Sequence, residues 1–184
     1  MILKSGTREM KAMSDTILKV TNVTKRFGGV CALDNVNLEL KKGEIHCLVG
    51  GNGSGKSTLI KIISGFYKPD GGTVEIDGIR HTQKYSTMDA IAAGVQVIYQ
   101  DMSVFPNLTV AENIALTINK SENKKLVNWK QVDEVAQQAF DKIGVQMPLH
   151  ELLEDMSVAD KQIVAIARAI LYDAKLLIMD EPTT

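Results

Sequence analysis

The sequence has little that would mark a nucleic-acid binder, a secreted protein or a membrane-spanning protein. Its 21 basic and 22 acidic residues give a net charge of −1 without a basic block, which argues against a nucleic-acid-binding surface. No apolar run approaches the roughly 20 residues of a membrane-spanning helix. The first 15 residues lack the apolar core of a secretion signal. The two cysteines, Cys31 and Cys47, have no metal-ligand spacing, so a cytosolic protein with free, mostly buried thiols is expected.

The remaining composition is that of a folded α/β domain. Hydrophobic residues make up 45% and charged residues 23% of the 184 residues, enough to build a sizeable core. Alternating and apolar runs predict strands at 17–27, 36–40, 45–50, 72–76, 95–100 and 176–180. Helical periodicity and capping residues predict helices at 58–65, 86–94, 129–143 and 156–172. Strands and helices therefore alternate, with a helical block before the last strand.

A glycine-rich segment between a predicted strand and a predicted helix carries the clearest chemistry. Gly50–Ser57 reads GGNGSGKS and matches G-x-x-x-x-G-K-[ST]. Glycines let backbone N–H groups converge on a phosphate, and the following helix directs its positive end there. Lys56 would supply a charge to the phosphates and Ser57 a magnesium ligand. The alternative is a glycine-rich turn, but the four fixed positions match by chance in under about one such chain in a hundred.

An acidic pair follows the last apolar run, Leu176–Met179. Asp180 would lie at the carboxyl end of a buried strand, where parallel α/β sheets place their sites. A carboxylate there suits Mg²⁺, which prefers oxygen ligands and keeps several waters. Glu181, the next residue, would orient the attacking water. The alternative is a solvated acidic turn, which the phosphate loop upstream disfavours.

With these motifs in place, the chain resembles the ATP-binding subunit of an ABC transporter over about residues 17–184. The phosphate loop resembles Walker A, LLIMDE resembles Walker B, and MSVADKQIVAIARAI resembles the signature region. The resemblance implies a P-loop NTPase (RecA-like) core with antiparallel β strands at its N-terminus and an inserted helical subdomain. Residues 1–16 would be a flexible extension, 17–184 an incomplete nucleotide-binding domain, and about 101–172 the helical subdomain.

The resemblance also implies the role of each site residue. Glu181 and Lys56 would be catalytic, and ATP and Mg²⁺ the cofactors. Gln100 matches the Q-loop that couples the core to the helical subdomain, and Phe27 the aromatic residue that stacks on adenine; core packing is the alternative for Phe27. The expected nucleotide-binding positions are Phe27, Gly50, Gly51, Asn52, Gly53, Ser54, Gly55, Lys56, Ser57, Thr58, Gln100 and Ser157. The expected metal-binding positions are Ser57, Gln100 and Asp180.

The signature region departs from the commonest family pattern. Residues 156–160 read MSVAD where L-S-G-G-Q is commonest, a change that resembles the monosaccharide (ribose/galactose-type) importer branch. Ser157 and Asp160 form a capping-box-like pair, so the helix start is well formed without glycine. Ser157 and the helix N-terminus would face the γ-phosphate of an ATP held by a second nucleotide-binding domain. A helix cap and nothing more is the alternative for Ser157.

The family pattern continues beyond Thr184, so we expect an N-terminal fragment that lacks the C-terminal part of the core. Such a piece would bind ATP but hydrolyse it poorly alone, and would expose a sheet edge and associate. The full protein would power sugar import with transmembrane permease subunits, a second nucleotide-binding domain and, indirectly, a solute-binding protein. It would be cytoplasmic, on the inner face of the cell membrane. The alternatives are nucleoside import and an ABC ATPase not linked to transport.

Overall fold

The computed structural model describes residues 15–81, 85–99, 104–116 and 128–180. They divide into two compact units. The first contains the described residues within Met1–Lys56 and Lys68–Lys84, and the second those within Ser57–Tyr67 and Tyr85–Thr184. Gln100 and Glu181 lie outside the described residues. The domain boundaries expected from the sequence stay predictions.

The first unit contains an antiparallel sheet. Its strands are β1 (Thr16–Phe27), β2 (Val30–Lys41), β3 (Gly71–Ile76) and β4 (Ile79–His81), in the order β2-β1-β3-β4. Alternate residues of β1 and β3, including Leu18, Val20, Val74 and Ile76, are buried on one face. The turn between β3 and β4 uses Asp77 and Gly78, both with positive φ, as two-residue hairpin turns require. The antiparallel N-terminal sheet is confirmed.

One predicted strand does not form. Residues 45–50 belong to no helix or strand, and Ile45 and Val49 are 99% and 87% exposed. The prediction rested on their apolar character, which is typical of a central strand. A strand, however, takes its hydrogen bonds from neighbouring strands, and no described residue pairs with this segment. The prediction of a strand at 45–50 is therefore wrong for this chain.

The second unit is predominantly helical. Its helices are α2 (Thr87–Ala92), α3 (Val110–Ala115), α4 (Trp129–Ile143) and α5 (Val158–Leu171), and a 3₁₀ turn spans Leu153–Asp155. Helix α1 (Lys56–Ile63) follows the glycine-rich loop. Strands β5 (Val95–Ile98) and β6 (Leu176–Met179) pair in parallel, as expected for strands joined by a helical connection.

The apolar face of α4 forms much of the helical core. Asn128 caps the helix and Gly144, with φ +68, ends it, as the sequence predicts. Phe140 is fully buried in a cluster with Ile114 of α3, Leu153 of the 3₁₀ turn and Val164 of α5. The sequence did not predict α3, β4 or the 3₁₀ turn, which are six residues long or less and give little periodic signal.

Two further observations concern composition-based expectations. Within the described ranges, the structure contains no helix with the length and hydropathy that a membrane span requires. Cys31 and Cys47 are free, as expected, but both are exposed. The prediction of mostly buried thiols is wrong because Cys47 lies in the unpaired segment and Cys31 beside the β1–β2 turn.

Candidate nucleotide-binding site

The glycine-rich loop forms a tight backbone turn before α1. The Ser54 N–H donates to the Gly51 carbonyl over 3.2 Å. Gly53 and Gly55 have φ values of +78 and +91, a region in which side chains with a Cβ are strained. Asn52 and Ser54 are exposed on this turn. The loop therefore presents accessible backbone, as a phosphate-binding loop must.

Gly55 is also needed for close packing. A Cβ placed on this residue would lie 2.5 Å from the Ala32 carbonyl oxygen and 2.7 Å from the Leu33 Cδ2 atom. The loop thus packs directly on β2, with no room for a side chain at this position. A Cβ on Gly50 would lie 2.5 Å from the Ser54 Oγ atom, so Gly50 lets the loop close on itself.

Lys56 folds back over this loop. Its Nζ donates to the Gly50 carbonyl over 2.6 Å and to the Gly51 carbonyl over 2.9 Å. The ammonium group is thus held at the turn by two neutral carbonyls. A phosphate oxygen attracts the ammonium group more strongly than these carbonyls do, because it carries a negative charge.

The first turn of α1 adds no competing negative charge. It contains no acidic residue, and Ser57 and Thr58 follow Lys56 there. Ser57 is exposed and Thr58 is half-buried. The first N–H groups of a helix have no partner within the helix and attract anions. This helix start is therefore suited to a phosphate group.

Phe27 lies on the hairpin against which the loop packs. It ends β1 and pairs with Val30 of β2, while Lys25 pairs with Leu33, a residue that Gly55 approaches closely. Phe27 is 42% exposed, which argues against the alternative of core packing. Within this unit, the structure thus places the predicted adenine-stacking residue on the strand pair that supports the phosphate loop.

Asp180 lies directly after β6. Its N–H donates to the Ile98 carbonyl over 2.9 Å, which extends the parallel pairing of Ile98 with Met179 by one residue. The carboxylate therefore lies at the carboxyl end of both strands, the edge where parallel sheets bind ligands. Gln100 and Glu181 are the next site residues along these two strands in sequence, and both fall outside the described part of the chain.

Ser157 begins α5 as predicted. Its Oγ accepts from the Asp160 N–H over 3.2 Å and donates to the Asp160 carboxylate over 2.6 Å. The sequence did not predict this second bond, which engages the hydroxyl proton expected to face a γ-phosphate. The caps of α2 and α3 contain the same hydroxyl-to-carboxylate bond, and there the carboxylate also accepts from the backbone of the capping residue, which completes a capping box.

The family of the chain is decided by a match over most of its length. Residues 33–184 match the family model of the ABC transporter. The chain belongs to the ABC transporter family. It is 43% identical over 170 residues to the ribose import ATP-binding protein RbsA 2 of Burkholderia cenocepacia and covers 33% of that protein. It is 41% identical over 170 residues to the ribose import ATP-binding protein RbsA 1 of Streptomyces avermitilis, with 92% of this chain and 32% of that protein covered.

Solved ABC cassettes share the fold. A cassette of an ABC transporter in its ADP conformation matches 93% of this chain and 70% of its own, with a TM-score of 0.77 and 28% identity. A dimeric cassette in a post-hydrolysis state with ADP and Pi matches with a TM-score of 0.70 and 29% identity, over 91% of this chain and 75% of its own. The fold is therefore that of a P-loop NTPase. The chain spans about a third of the length of the curated relatives that it matches.

Proposed function

We propose that this ABC transporter chain binds ATP through residues 50–58 and contributes to ATP hydrolysis that powers import of a sugar or related solute. The observation that carries the proposal is the position of the Lys56 ammonium, held by the Gly50 and Gly51 carbonyls inside an exposed loop. A triphosphate that displaces these carbonyls offers Lys56 a negatively charged acceptor and receives charge-assisted hydrogen bonds from the loop amides.

A magnesium ion is part of this proposal. Ser57 is exposed and Asp180 is half-buried, and their hydroxyl and carboxylate oxygens are the hard donors that Mg²⁺ prefers. Among the described residues, no group of three His, Cys, Asp or Glu side chains could hold a metal. When bound, Mg²⁺ neutralises charge that develops on the phosphates.

The remaining roles follow from the family pattern. Glu181 is proposed to orient the attacking water, Gln100 to bind the metal and couple the core to the helical subdomain, and Phe27 to stack on adenine. Ser157 is proposed to contact the nucleotide of a second nucleotide-binding domain. For that contact, the Ser157 hydroxyl has to exchange its bond to Asp160 for a phosphate oxygen.

The solute and partners are proposed from the relatives. The two relatives described above are ribose import ATP-binding proteins. A further relative, from Burkholderia ambifaria, is 44% identical over 169 residues and is named a putative ribose/galactose/methyl galactoside import ATP-binding protein. We propose a ribose- or galactose-type sugar as the solute. The proposed partners are permease subunits, a second nucleotide-binding domain and, indirectly, a solute-binding protein. The proposed location is the inner face of the cell membrane.

Thermal melting with and without Mg-ATP tests nucleotide binding. A ligand at a hundredfold excess over its Kd stabilises the folded state by about 2.7 kcal/mol. ATP should raise the melting temperature of the chain, and Lys56→Ala should abolish this shift. Lys68→Ala, an exposed lysine outside the loop, serves as the control and should keep it. Equal shifts of the melting temperature in both variants would contradict the phosphate-loop assignment. A separate assay of phosphate release over time distinguishes ATP hydrolysis from ATP binding alone.

A further inference from the structure

We propose that Lys25 and Asp70 are positioning residues of the nucleotide site, which hold the Phe27 ring in the place from which it stacks on the base. This inference rests on the proposed ATP binding and concerns how the site is built. All three residues lie in the same compact unit as the phosphate loop.

The first observation is the contact between Lys25 and Phe27. The two residues are two positions apart on β1, so their side chains leave the strand on the same side. The Lys25 ammonium lies over the Phe27 ring, 5.4 Å from its centroid, within the range of a cation–π interaction. The Lys25 side chain is only 15% exposed, although a lysine usually extends into water.

The second observation is that Asp70 holds both Lys25 and the backbone before Phe27. Its Oδ1 atom accepts from Lys25 Nζ over 2.9 Å and its Oδ2 atom from the Arg26 N–H over 2.7 Å. Its own N–H donates to the Thr24 carbonyl over 2.8 Å. One aspartate thus contacts each of the three residues that precede Phe27.

The hydrogen bond from Lys25 lowers the pKa of Asp70. It is the main reason that the pKa of Asp70 lies below its usual value, followed by the bond from the Arg26 N–H. The carboxylate is therefore ionised at neutral pH.

The third observation explains why β1 needs such support. Its pairing with β2 is irregular between Val23 and Lys25 and again between Lys25 and Arg26. The turn residue Gly28, with φ +56, follows immediately. Irregular pairing leaves the strand end poorly fixed by its ladder, so the bonds from Asp70 take over that role. An ordered ring also loses less conformational entropy when a base binds.

An ordinary surface ion pair is the competing explanation, since such pairs contribute little. It predicts that removing the charge of Asp70 changes nothing at the nucleotide site. A general structural role predicts instead equal loss of every ligand. Positioning of Phe27 predicts a loss that depends on the base and vanishes when the ring is removed.

The experiment compares two probes, Mg-ATP and Mg-tripolyphosphate, which lacks the base, by titration calorimetry on the 184-residue chain. The variants are Phe27→Ala, Lys25→Met, Asp70→Asn and the double variant Phe27→Ala/Asp70→Asn. Asp77→Asn is the matched control, because Asp77 pairs with Lys42 over 2.8 Å in the same sheet. Melting curves establish that each variant folds; Asp70→Asn keeps the side-chain shape, and Lys25→Met keeps the apolar stem.

We expect Phe27→Ala to weaken ATP about tenfold, since base stacking on an aromatic ring is worth a factor of this order. Lys25→Met and Asp70→Asn should each weaken ATP by about threefold, the scale of an exposed cation–π contact. Tripolyphosphate affinity should stay within about twofold of the parent in all variants. The double variant should bind ATP no more weakly than Phe27→Ala, because Asp70 acts through the ring.

Three results would overturn the inference. They are unchanged ATP affinity in Asp70→Asn, equal weakening of both probes, and additive losses in the double variant. If the parent chain binds neither probe, the proposed ATP binding itself fails and takes this inference with it. ATP binding that depends on Lys56 but not on Asp70 or Lys25 overturns the inference alone.

Discussion

Single residues of the phosphate loop differ in what a methyl group would meet. Gly55 has φ +91, and a Cβ on it would lie 2.5 Å from the Ala32 carbonyl oxygen, whereas a Cβ on Gly51 would meet nothing within 4 Å. Gly55→Ala should therefore destabilise the chain by at least about 1–3 kcal/mol through backbone strain and weaken ATP. Gly51→Ala is the control, and its unfolding free energy in urea should be close to that of the parent. Equal stability of the two variants would show that the loop relaxes around Gly55.

The depressed pKa of Asp70 gives a second prediction at this scale. Because the folded-state pKa lies below the unfolded value of about 3.9, the ionised carboxylate stabilises the fold above that pH. This contribution is lost as pH falls through the folded pKa. The difference in melting temperature between the parent and Asp70→Asn should be largest near pH 7 and close progressively below about pH 4. A difference that widens in acid would contradict the assigned sign.

The sequence did not predict the contacts of Lys25 and Asp70 or the hydroxyl bond to Asp160. Residues 50–58 were recognisable because their spacing along the chain is fixed by the chemistry, and Phe27 because its segment resembles the family pattern. Lys25 and Asp70 are 45 positions apart, and no local pattern connects them. The Ser157–Asp160 cap was predicted, but the direction of its hydroxyl proton depends on side-chain geometry that spacing does not determine.

Among the helices, α3 depends on one buried polar side chain. Asn113 is fully buried. It accepts from the Phe105 N–H over 2.8 Å and donates to the Phe105, Leu108 and Thr109 carbonyls. It therefore ties the segment before α3 to the helix and provides the acceptor for the Phe105 N–H.

Removal of this side chain should be costly. Asn113→Ala removes the acceptor of the Phe105 N–H, and a donor left unsatisfied costs about 1–3 kcal/mol when buried. We expect a loss of about 1–3 kcal/mol in unfolding free energy, measured by urea denaturation. Asn107→Ala removes the same side chain at an exposed position and should change stability by less than about 0.5 kcal/mol. Similar losses in both variants would argue against the role of Asn113.

The helices were easier to predict than the strands for a physical reason. Helix α4 carries its own cap, its apolar stripe and its terminal glycine within 17 consecutive residues, 128–144, and each helical hydrogen bond is local. The segment 45–50 has the apolar composition of a central strand, but its pairing depends on residues elsewhere in the chain. Local sequence therefore predicted α4 correctly and this strand incorrectly.

For the whole molecule, the exposed apolar segment has a consequence in solution. Ile45, Leu48 and Val49 present apolar side chains on unpaired backbone, the combination that favours strand-to-strand association between chains. Light scattering should show an average mass that rises with concentration. Ile45→Lys/Val49→Lys should reduce that rise, because charged residues oppose such pairing. Met88→Lys, at an exposed position of helix α2, is the control and should leave it unchanged.

The position of Cys47 turns this segment into its own chemical reporter. Its thiol is exposed in the unpaired segment. The Cys31 thiol, in the same compact unit, is exposed beside the β1–β2 turn. A colorimetric thiol reagent should modify both groups in the isolated chain. Any partner strand that covers residues 45–49 should slow the Cys47 reaction and leave Cys31 reactive. The ratio of the two labelling rates therefore reports, without any mutation, whether residues 45–49 are covered by another strand.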